Sequence, residues 1–159
     1  MPKITQSVAA AITVTLLLVT PAIAQLGPNS GSNLFGGGRP QPLPIDQAFP
    51  FFVSINNPQS LSVSWQIAAG HYLYRHQFGF ALKRDADSNA QSLQFSLPEG
   101  LQKQDQFFGD IEAYYENVTA TVQLDFSEFP NGRLVIQYQG CADWGFCYPP
   151  QSVEYPLNP

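Results

Sequence analysis

Short segments with an apolar residue at every second position dominate the chain after residue 48, and this alternation constrains the fold more than any other feature. A period of two places the apolar side chains of a segment on one face, as a half-buried strand requires. Clear runs occupy residues 61–67, 93–97, 118–126, 134–138 and 153–157, and less regular ones occupy 49–55 and 71–82. About seven strands separated by turn residues predict an all-β fold, an antiparallel β-sandwich of immunoglobulin-like type.

The N-terminal part of the chain divides into two segments of different character. Residues 1–24 combine Lys3, an apolar run over 8–19 and the small-x-small sequence at 22–24, which is typical of a secretory signal peptide. An uncleaved anchor is the alternative, although the run is short for a membrane span. Residues 25–48 are rich in Gly, Pro, Asn and Gln and predict an extended lead-in to one domain over 49–159.

Composition excludes several classes of function. The formal net charge is −5 and no basic stripe exists, which disfavours a nucleic-acid partner. The chain has neither a nucleophile elbow nor a glycine-rich phosphate loop, so hydrolase and nucleotide-binding chemistry find no support. With 13% aromatic residues, the chain can nevertheless bury a substantial core.

The two cysteines, Cys141 and Cys147, lie in one short segment rich in glycine and proline. Outside the cytoplasm they have one possible pairing, as a disulfide. Closing so short a loop would contribute only about 2–3 kcal/mol to stability, so the spacing alone leaves open whether the bond is a structural brace or redox-active. A zinc site would need four ligands, and only His71 and His76 are available as histidines, so we expect neither a metal nor a cofactor.

Residues 138–150 read YQGCADWGFCYPP, and this segment resembles the N-terminal periplasmic domain of the thiol:disulfide interchange protein DsbD, in which YQGCADxGFCYPP carries the redox pair. The likeness extends through residues 46–49, 65–67, 70–75 and 105–109, in the same order. It implies an immunoglobulin-like fold and a protein-disulfide reductase role in the periplasm of a Gram-negative bacterium. The chain would then be either an excerpt of a longer protein or a free-standing version of the domain.

The resemblance also implies how electrons would move. Cys147 would form the mixed disulfides with partners and Cys141 would resolve them. The donor would be a thioredoxin-like domain of the DsbD C-terminal type, and the acceptors would be thioredoxin-fold proteins such as the isomerases DsbC and DsbG and a cytochrome c maturation factor. The alternative is a binding module without enzymatic activity, in which the disulfide is inert.

The family's cap loop matches residues 105–109, and further matched residues surround the cysteines. The cap residues are Asp105, Gln106, Phe107, Phe108 and Gly109; the neighbouring candidates are Tyr72, Tyr74, Asp143, Trp144 and Phe146. In the family the residue at Phe107 shields the cysteine pair, and Tyr72 and Tyr74 lie beside it. The family commonly has an acid where this chain has Gln106 and a phenol where it has Phe108, so an acid–base role is not expected at either position. It often has a small residue where this chain has Trp144, whose bulk at the docking surface would narrow the choice of partners.

One expectation concerns the pKa of the Cys147 thiol and needs no resemblance. No Lys or Arg follows Arg133, and Asp143 lies between the cysteines. A thiolate is favoured by nearby positive charge or a helix N-terminus, and the sequence indicates neither. The sequence therefore predicts an ordinary or raised pKa for Cys147, with activation left to the docking partner.

Overall fold

The computed structural model describes residues 40–85, 87–125, 129 and 131–157. The predicted signal peptide and most of the predicted lead-in lie outside the described residues. Within the described residues, a one-turn helix, α1 (Ile45–Ala48), and a 3-10 turn (Arg75–Gln77) accompany thirteen strands. The strands are β1 (Phe51–Asn57), β2 (Ser60–Gln66), β3 (His71–Tyr74), β4 (Gly79–Lys83), β5 (Gln91–Ser92), β6 (Phe95–Ser96), β7 (Leu101–Asp105), β8 (Gly109–Tyr114), β9 (Asn117–Gln123), β10 (Arg133–Tyr138), β11 (Gly140–Ala142), β12 (Phe146–Cys147) and β13 (Gln151–Pro156).

The strands form three sheets in which every described pairing is antiparallel. The first sheet has the order β1-β2-β9-β6 and the second β13-β10-β4-β5. The third sheet, which we call the site sheet, has the order β12-β11-β3-β8-β7. The prediction of an all-β antiparallel sandwich is confirmed.

The main core lies where the inward faces of the first two sheets meet. Alternate residues of β2 and β9 are buried, as the period of two predicts. Trp65 on β2 is 1% exposed, and its ring contacts Phe80 of β4 and Tyr138 of β10 in the second sheet. These aromatic contacts hold the two sheets together over an apolar interior.

Strand β3 connects the main core to a second, smaller cluster. All four of its residues are buried, because the strand is covered on both faces. Leu73 belongs to the main core, whereas Tyr72 and Tyr74 point to the opposite face and join a cluster with Ile111, Ala113 and Cys141. The site sheet is thus buried on one side by the sandwich and carries the tyrosines and the cysteine on the other.

Several elements differ from the sequence-based expectation. The structure has one helical turn, α1, within the predicted lead-in, and Ala48 is fully buried. The predicted run 71–82 divides into β3 and β4 around the 3-10 turn, and 93–97 keeps only the two-residue strand β6. The hairpin β7–β8 was missed because β7 carries Lys103 and Asp105 where an apolar alternation was sought. In the described part of the chain no helix is long and apolar enough to cross a membrane.

Candidate functional site

The two cysteines are direct partners in a tight hairpin formed by β11 and β12. Cys141 pairs with Cys147 across the strands, their Cα atoms are 4.0 Å apart, and they form a disulfide. The turn is closed by the amide of Gly145, which donates to the carbonyl of Ala142 at 2.9 Å. Cys141 is fully buried, whereas Cys147 is half-buried. We call this element, residues 140–147, the cysteine hairpin.

Two glycines fit the cysteine hairpin to its surroundings. A Cβ on Gly140 would collide with the Tyr72 carbonyl and lie 2.6 Å from the Phe49 ring, so only glycine lets β11 approach β3 this closely. Gly145 has φ +93°, a conformation that side chains disfavour. A Cβ there would lie 3.0 Å from Nε2 of Gln106 in the cap. The cap therefore rests on the turn of the cysteine hairpin.

Tyr72 and Tyr74 lie on one face of β3, two residues apart, and point at the disulfide. The Tyr74 hydroxyl is 2.9 Å from Sγ of Cys141 and 3.7 Å from Sγ of Cys147. The two tyrosine rings meet edge to face with their centroids 5.3 Å apart. Because neither sulfur of a disulfide carries a hydrogen, only the Tyr74 hydroxyl can donate, and its single hydrogen is shared between Sγ of Cys141 and the carboxylate of Asp105, 3.1 Å away.

Asp105 ends β7 and organises both the tyrosines and the cap. Its Oδ2 accepts hydrogen bonds from the hydroxyls of Tyr72 at 2.5 Å and Tyr74 at 3.1 Å. Its Oδ1 accepts from the amides of Phe107 at 2.8 Å and Phe108 at 3.0 Å, which fixes the cap turn in the way typical of a turn-initiating aspartate. The carboxylate is 6% exposed, so it links the cap to the tyrosines from inside the protein.

The hydrogen bonds around Asp105 shift several pKa values. Burial by itself would raise the pKa of Asp105, but four hydrogen-bond donors outweigh it and hold the pKa below its usual value. Burial and the bond to Asp105 raise the pKa of Tyr72 well above its ordinary range. Burial, assisted by Asp105, raises the pKa of Tyr74 to about 12. At neutral pH the site therefore holds one carboxylate and two protonated phenols.

The cap loop, residues 105–109, is the turn of the β7–β8 hairpin. Gly109 closes it with φ +73°, a conformation that suits the glycine of a three-residue hairpin loop. The Phe108 ring packs edge-on against Tyr74 and His76, with both centroid distances 5.0 Å. Phe107 is 55% exposed and makes no ring stacking within the described residues. The shielding role of Phe107 stays a prediction.

Asp143 occupies the turn between the cysteines and is bound by two side chains from the cap side of the site sheet. Its Oδ1 lies 3.1 Å from Nζ of Lys103 and accepts the Tyr115 hydroxyl at 2.8 Å. The local sequence around the cysteines gave no sign of a cation, because Lys103 lies 40 residues earlier. Lys103 lies two residues before Asp105, which puts both on one face of β7, and this spacing is the feature of the sequence that could have placed Lys103 at the site.

Trp144 and Phe146 extend the hairpin with a pair of aromatic rings. Their rings stack with centroids 5.6 Å apart and an interplanar angle of 25°. Phe146 also meets the Tyr148 ring edge-on, which connects it to the main core. Both side chains are half-buried, so they present apolar surface beside Cys147. In the part of the chain that the structure describes, no group of three or more His, Cys, Asp or Glu could hold a metal ion.

Comparison with known proteins connects this arrangement to one family. Residues 39–159 match the family model described as "Thiol:disulfide interchange protein DsbD, N-terminal". The chain is 39% identical over 121 residues to DsbD of Escherichia coli O157:H7, covering 76% of this chain and 20% of that protein. It is 39% identical over 153 residues to DsbD 1 of Pseudomonas aeruginosa, covering 92% of this chain and 25% of that protein. The chain thus spans a fifth to a quarter of the length of these relatives.

Solved structures give the same result at the level of the fold. The chain is similar to the DsbD N-terminal domain of Neisseria meningitidis in the reduced form, with a TM-score of 0.64, 29% identity and coverage of 74% of this chain and 90% of that one. It is also similar to a chain in the complex between the DsbD and PilB N-terminal domains of N. meningitidis, with a TM-score of 0.59, 29% identity and coverage of 72% and 86%.

Proposed function

The chain belongs to the family of DsbD N-terminal domains, and on that premise we propose that it exchanges thiols and disulfides with partner proteins through Cys141 and Cys147. The observation that carries the proposal is the asymmetry of the disulfide. Cys147 is half-buried, whereas Cys141 is fully buried beside a tyrosine hydroxyl. The sulfur of Cys147 is thus within reach of a partner, whereas the sulfur of Cys141 is buried inside the domain.

The reaction follows from this asymmetry. In the reduced domain the Cys147 thiolate attacks a sulfur of the partner's disulfide, and the partner's other sulfur leaves as a thiolate. The Cys141 thiolate then attacks Sγ of Cys147, re-forms the Cys141–Cys147 bond and releases the partner's first cysteine as a thiolate. Two electrons pass to the partner, whose thiolates take up two protons. Reduction of this domain by a donor runs the same steps in reverse.

Tyr74 and Asp105 are placed to stabilise both the thiolate and the thiol form of Cys141. When the disulfide opens, the leaving Cys141 sulfur gains negative charge 2.9 Å from the Tyr74 oxygen, and a hydroxyl donating to it stabilises that charge. If Cys141 is instead protonated, its S–H donates to Tyr74, which donates to Asp105 at 3.1 Å. The Tyr74 hydrogen thus points to Cys141 when Cys141 is a thiolate and to Asp105 when it is a thiol, while Tyr72 donates to Asp105 in both states.

The cap would regulate access to Cys147. Asp105 fixes the cap turn through two amides, and Gln106 rests on Gly145 of the cysteine hairpin. We propose that the two cap aromatics have different tasks. Phe108 anchors the closed cap on Tyr74, and the exposed Phe107 moves aside when a partner docks, since an unshielded dithiol would lose its electrons to the wrong acceptor.

The proposed partners are thioredoxin-fold proteins. A related DsbD N-terminal domain was solved in complex with a PilB N-terminal domain, which supports docking of a partner domain. In the proposed scheme a thioredoxin-like donor reduces the domain, and isomerases of the DsbC and DsbG kind and a cytochrome c maturation factor accept its electrons. The proposed location is the bacterial periplasm, where such partners need a supply of reductant.

Trapping of mixed disulfides tests this proposal. The Cys141→Ala variant keeps the attacking cysteine but cannot resolve, so we expect it to accumulate a mixed disulfide with an oxidised thioredoxin-fold protein such as a PilB N-terminal domain. The Cys147→Ala variant should trap none, because its remaining cysteine is buried. Mass spectrometry of non-reduced samples measures both. Trapping by neither variant would contradict the proposal and favour an inert brace, and equal trapping by both would contradict the different roles of the two cysteines.

A further inference from the structure

Asp143 is the single charged residue of the cysteine hairpin, and it is held by Lys103 of β7 and by Tyr115, which follows β8. We call β7 and β8 with the turn between them, residues 101–114, the cap hairpin. Lys103 reaches its Oδ1 from β7 at 3.1 Å, and the Tyr115 hydroxyl reaches the same oxygen at 2.8 Å from the residue that follows β8. One carboxylate oxygen therefore joins the turn between the cysteines to the two strands that carry the cap. The Asp143 amide also donates to the Gly70 carbonyl at 2.8 Å, so the turn is fixed on both sides.

Lys103 is placed to interact with more than one side chain of the site. It lies on the same face of β7 as Asp105, and its ammonium is 4.6 Å from the centroid of the Tyr72 ring. Tyr115 and Asp143 raise the pKa of Lys103, so it is charged throughout the neutral range. Among the described residues it is the one lysine or arginine that forms an ion pair with the cysteine hairpin.

From this arrangement we infer that Lys103 is a positioning residue that ties the cysteine hairpin to the cap hairpin through Asp143 and cancels the negative charge of Asp143 beside the reactive thiol. The inference rests on the proposed function, since it describes the environment of the Cys147 thiolate. A carboxylate two residues after Cys141 would disfavour a thiolate, and an ammonium bound to that carboxylate opposes the effect.

The other groups around the thiols do not supply this compensation. Asp105 carries a negative charge, and the phenols stay protonated at neutral pH. The titratable groups that face the cysteine hairpin on the side of the thiols are Tyr72, Tyr74, Lys103, Asp105, Tyr115 and Asp143 itself. His71, which pairs with Ala142 across β3 and β11, packs instead against Phe49 and Tyr148 of the main core. Lys103 is the cation in this set, so it offsets the negative charge nearest to the turn.

Opposite charge changes at the two members of the ion pair test the inference. We would compare Lys103→Met, Asp143→Asn and the double variant, each fully reduced, by the rate of Cys147 alkylation with iodoacetamide as a function of pH, read by mass spectrometry. The matched control is Lys83→Met. Lys83 forms an ion pair with Glu154 on the second sheet, and its side chain is 26% exposed, against 28% for Lys103.

The expected shifts have opposite signs. Without Lys103, the unpaired carboxylate disfavours the thiolate, and alkylation near neutral pH slows by about threefold. Without the Asp143 charge, the unpaired ammonium favours the thiolate, and the rate rises by about threefold. The double variant returns near the wild-type rate, and Lys83→Met does not differ from wild type.

Two results would overturn the inference. If Lys103→Met and Asp143→Asn change the rate in the same direction, the ion pair does not act on the thiol through its charges, because charge compensation requires opposite shifts. If both behave like Lys83→Met, the pair has no influence on the thiol. Neither result bears on the proposed function, which is tested separately by the Cys141→Ala trap. If Cys141→Ala traps a partner and the wild-type domain exchanges normally while the alkylation rates stay equal, the inference alone is refuted.

Discussion

The main core and the site sheet both depend on aromatic residues but use them in opposite ways. Around Trp65 the rings of Phe78, Phe80 and Tyr138 pack edge-on, and the buried indole N–H has no hydrogen-bond partner within the described residues. Around Cys141 the rings belong to tyrosines, and their hydroxyls converge on a buried carboxylate. The first region packs by ring contacts and leaves the indole N–H without a hydrogen bond, whereas the second buries polar groups and gives them hydrogen-bond partners.

The two regions contribute differently: the main core contributes to stability, and the site sheet carries the groups proposed for thiol–disulfide exchange. Apolar burial is the dominant favourable contribution to folding, so the sandwich should determine the free energy of unfolding. Among the described residues the site sheet has a cluster of five buried residues, and it contacts the cap through the hydrogen bonds of Asp105 and the ring of Phe108. Such a region can open locally without unfolding the protein, as a site that must admit a partner requires.

Removing the ring of Trp65 should have the largest effect on stability. Trp65 is 1% exposed, so Trp65→Ala leaves a large cavity between the sheets, and we expect the free energy of unfolding to fall by about 3–5 kcal/mol in urea titrations. Phe52→Ala is the matched control, because Phe52 lies on the neighbouring strand and is 52% exposed. It should cost less than about 0.5 kcal/mol. Equal effects of the two substitutions would show that the sandwich core does not govern stability.

Removing the charge of Asp105 tests the polar region. In Asp105→Asn the amide cannot accept all four donors as the carboxylate does, so we expect about 1–3 kcal/mol less stability and faster reduction of the disulfide by dithiothreitol, because the cap loses its anchor. Asp110→Asn, an exposed carboxylate on the same hairpin, is the control and should change neither. An unchanged reduction rate in Asp105→Asn would contradict the role of the carboxylate in holding the cap.

The pH dependence of stability also tests the role of Asp105. The folded-state pKa of Asp105 lies below its unfolded value of 3.8, so its stabilising effect is fully present above that value and is lost as the pH falls through the folded value. The difference in stability between wild type and Asp105→Asn should therefore be constant from about pH 5 to 7 and shrink below about pH 4. A difference that grows on acidification would contradict the lowered pKa.

Deleting the Tyr74 hydroxyl should give the smallest of these effects on folding and still change the chemistry. Tyr74→Phe keeps the packing against Phe108 and loses the contact with Cys141. We expect about 1 kcal/mol less stability and roughly fivefold slower thiol–disulfide exchange, measured by stopped-flow with a thioredoxin-fold partner. Tyr155→Phe, on the far edge of the second sheet, is the control. Exchange at the same rate in both variants would exclude Tyr74 from the reaction.

The sequence predicted the sandwich better than the site sheet, for a physical reason. Strands β2 and β9 each have one buried face, so apolar and polar residues alternate along their sequences. Strand β3 is buried on both faces and shows no alternation. Strand β7 turns Lys103 and Asp105 inward, where a pattern of apolar residues cannot reveal them.

The site itself was predictable where residues are close in sequence. The disulfide follows from there being only two cysteines, and a spacing of two put Tyr72 and Tyr74 on one face. The pairs Lys103–Asp143 and Gln106–Gly145 join segments about 40 residues apart in the chain, and no local pattern specifies which distant side chains meet. The contrast between Phe107 and Phe108 likewise depends on the exact path of a three-residue turn.

We propose that the bond between Cys141 and Cys147 opens and closes reversibly with thioredoxin-fold partners. Its reduction potential, measured by equilibrating the domain with dithiothreitol or glutathione redox buffers, tests this directly. An exchanging disulfide should have a potential above about −300 mV and reach equilibrium with a thioredoxin-fold protein. A potential well below about −300 mV, with no exchange with any such protein, would identify the bond as a structural brace.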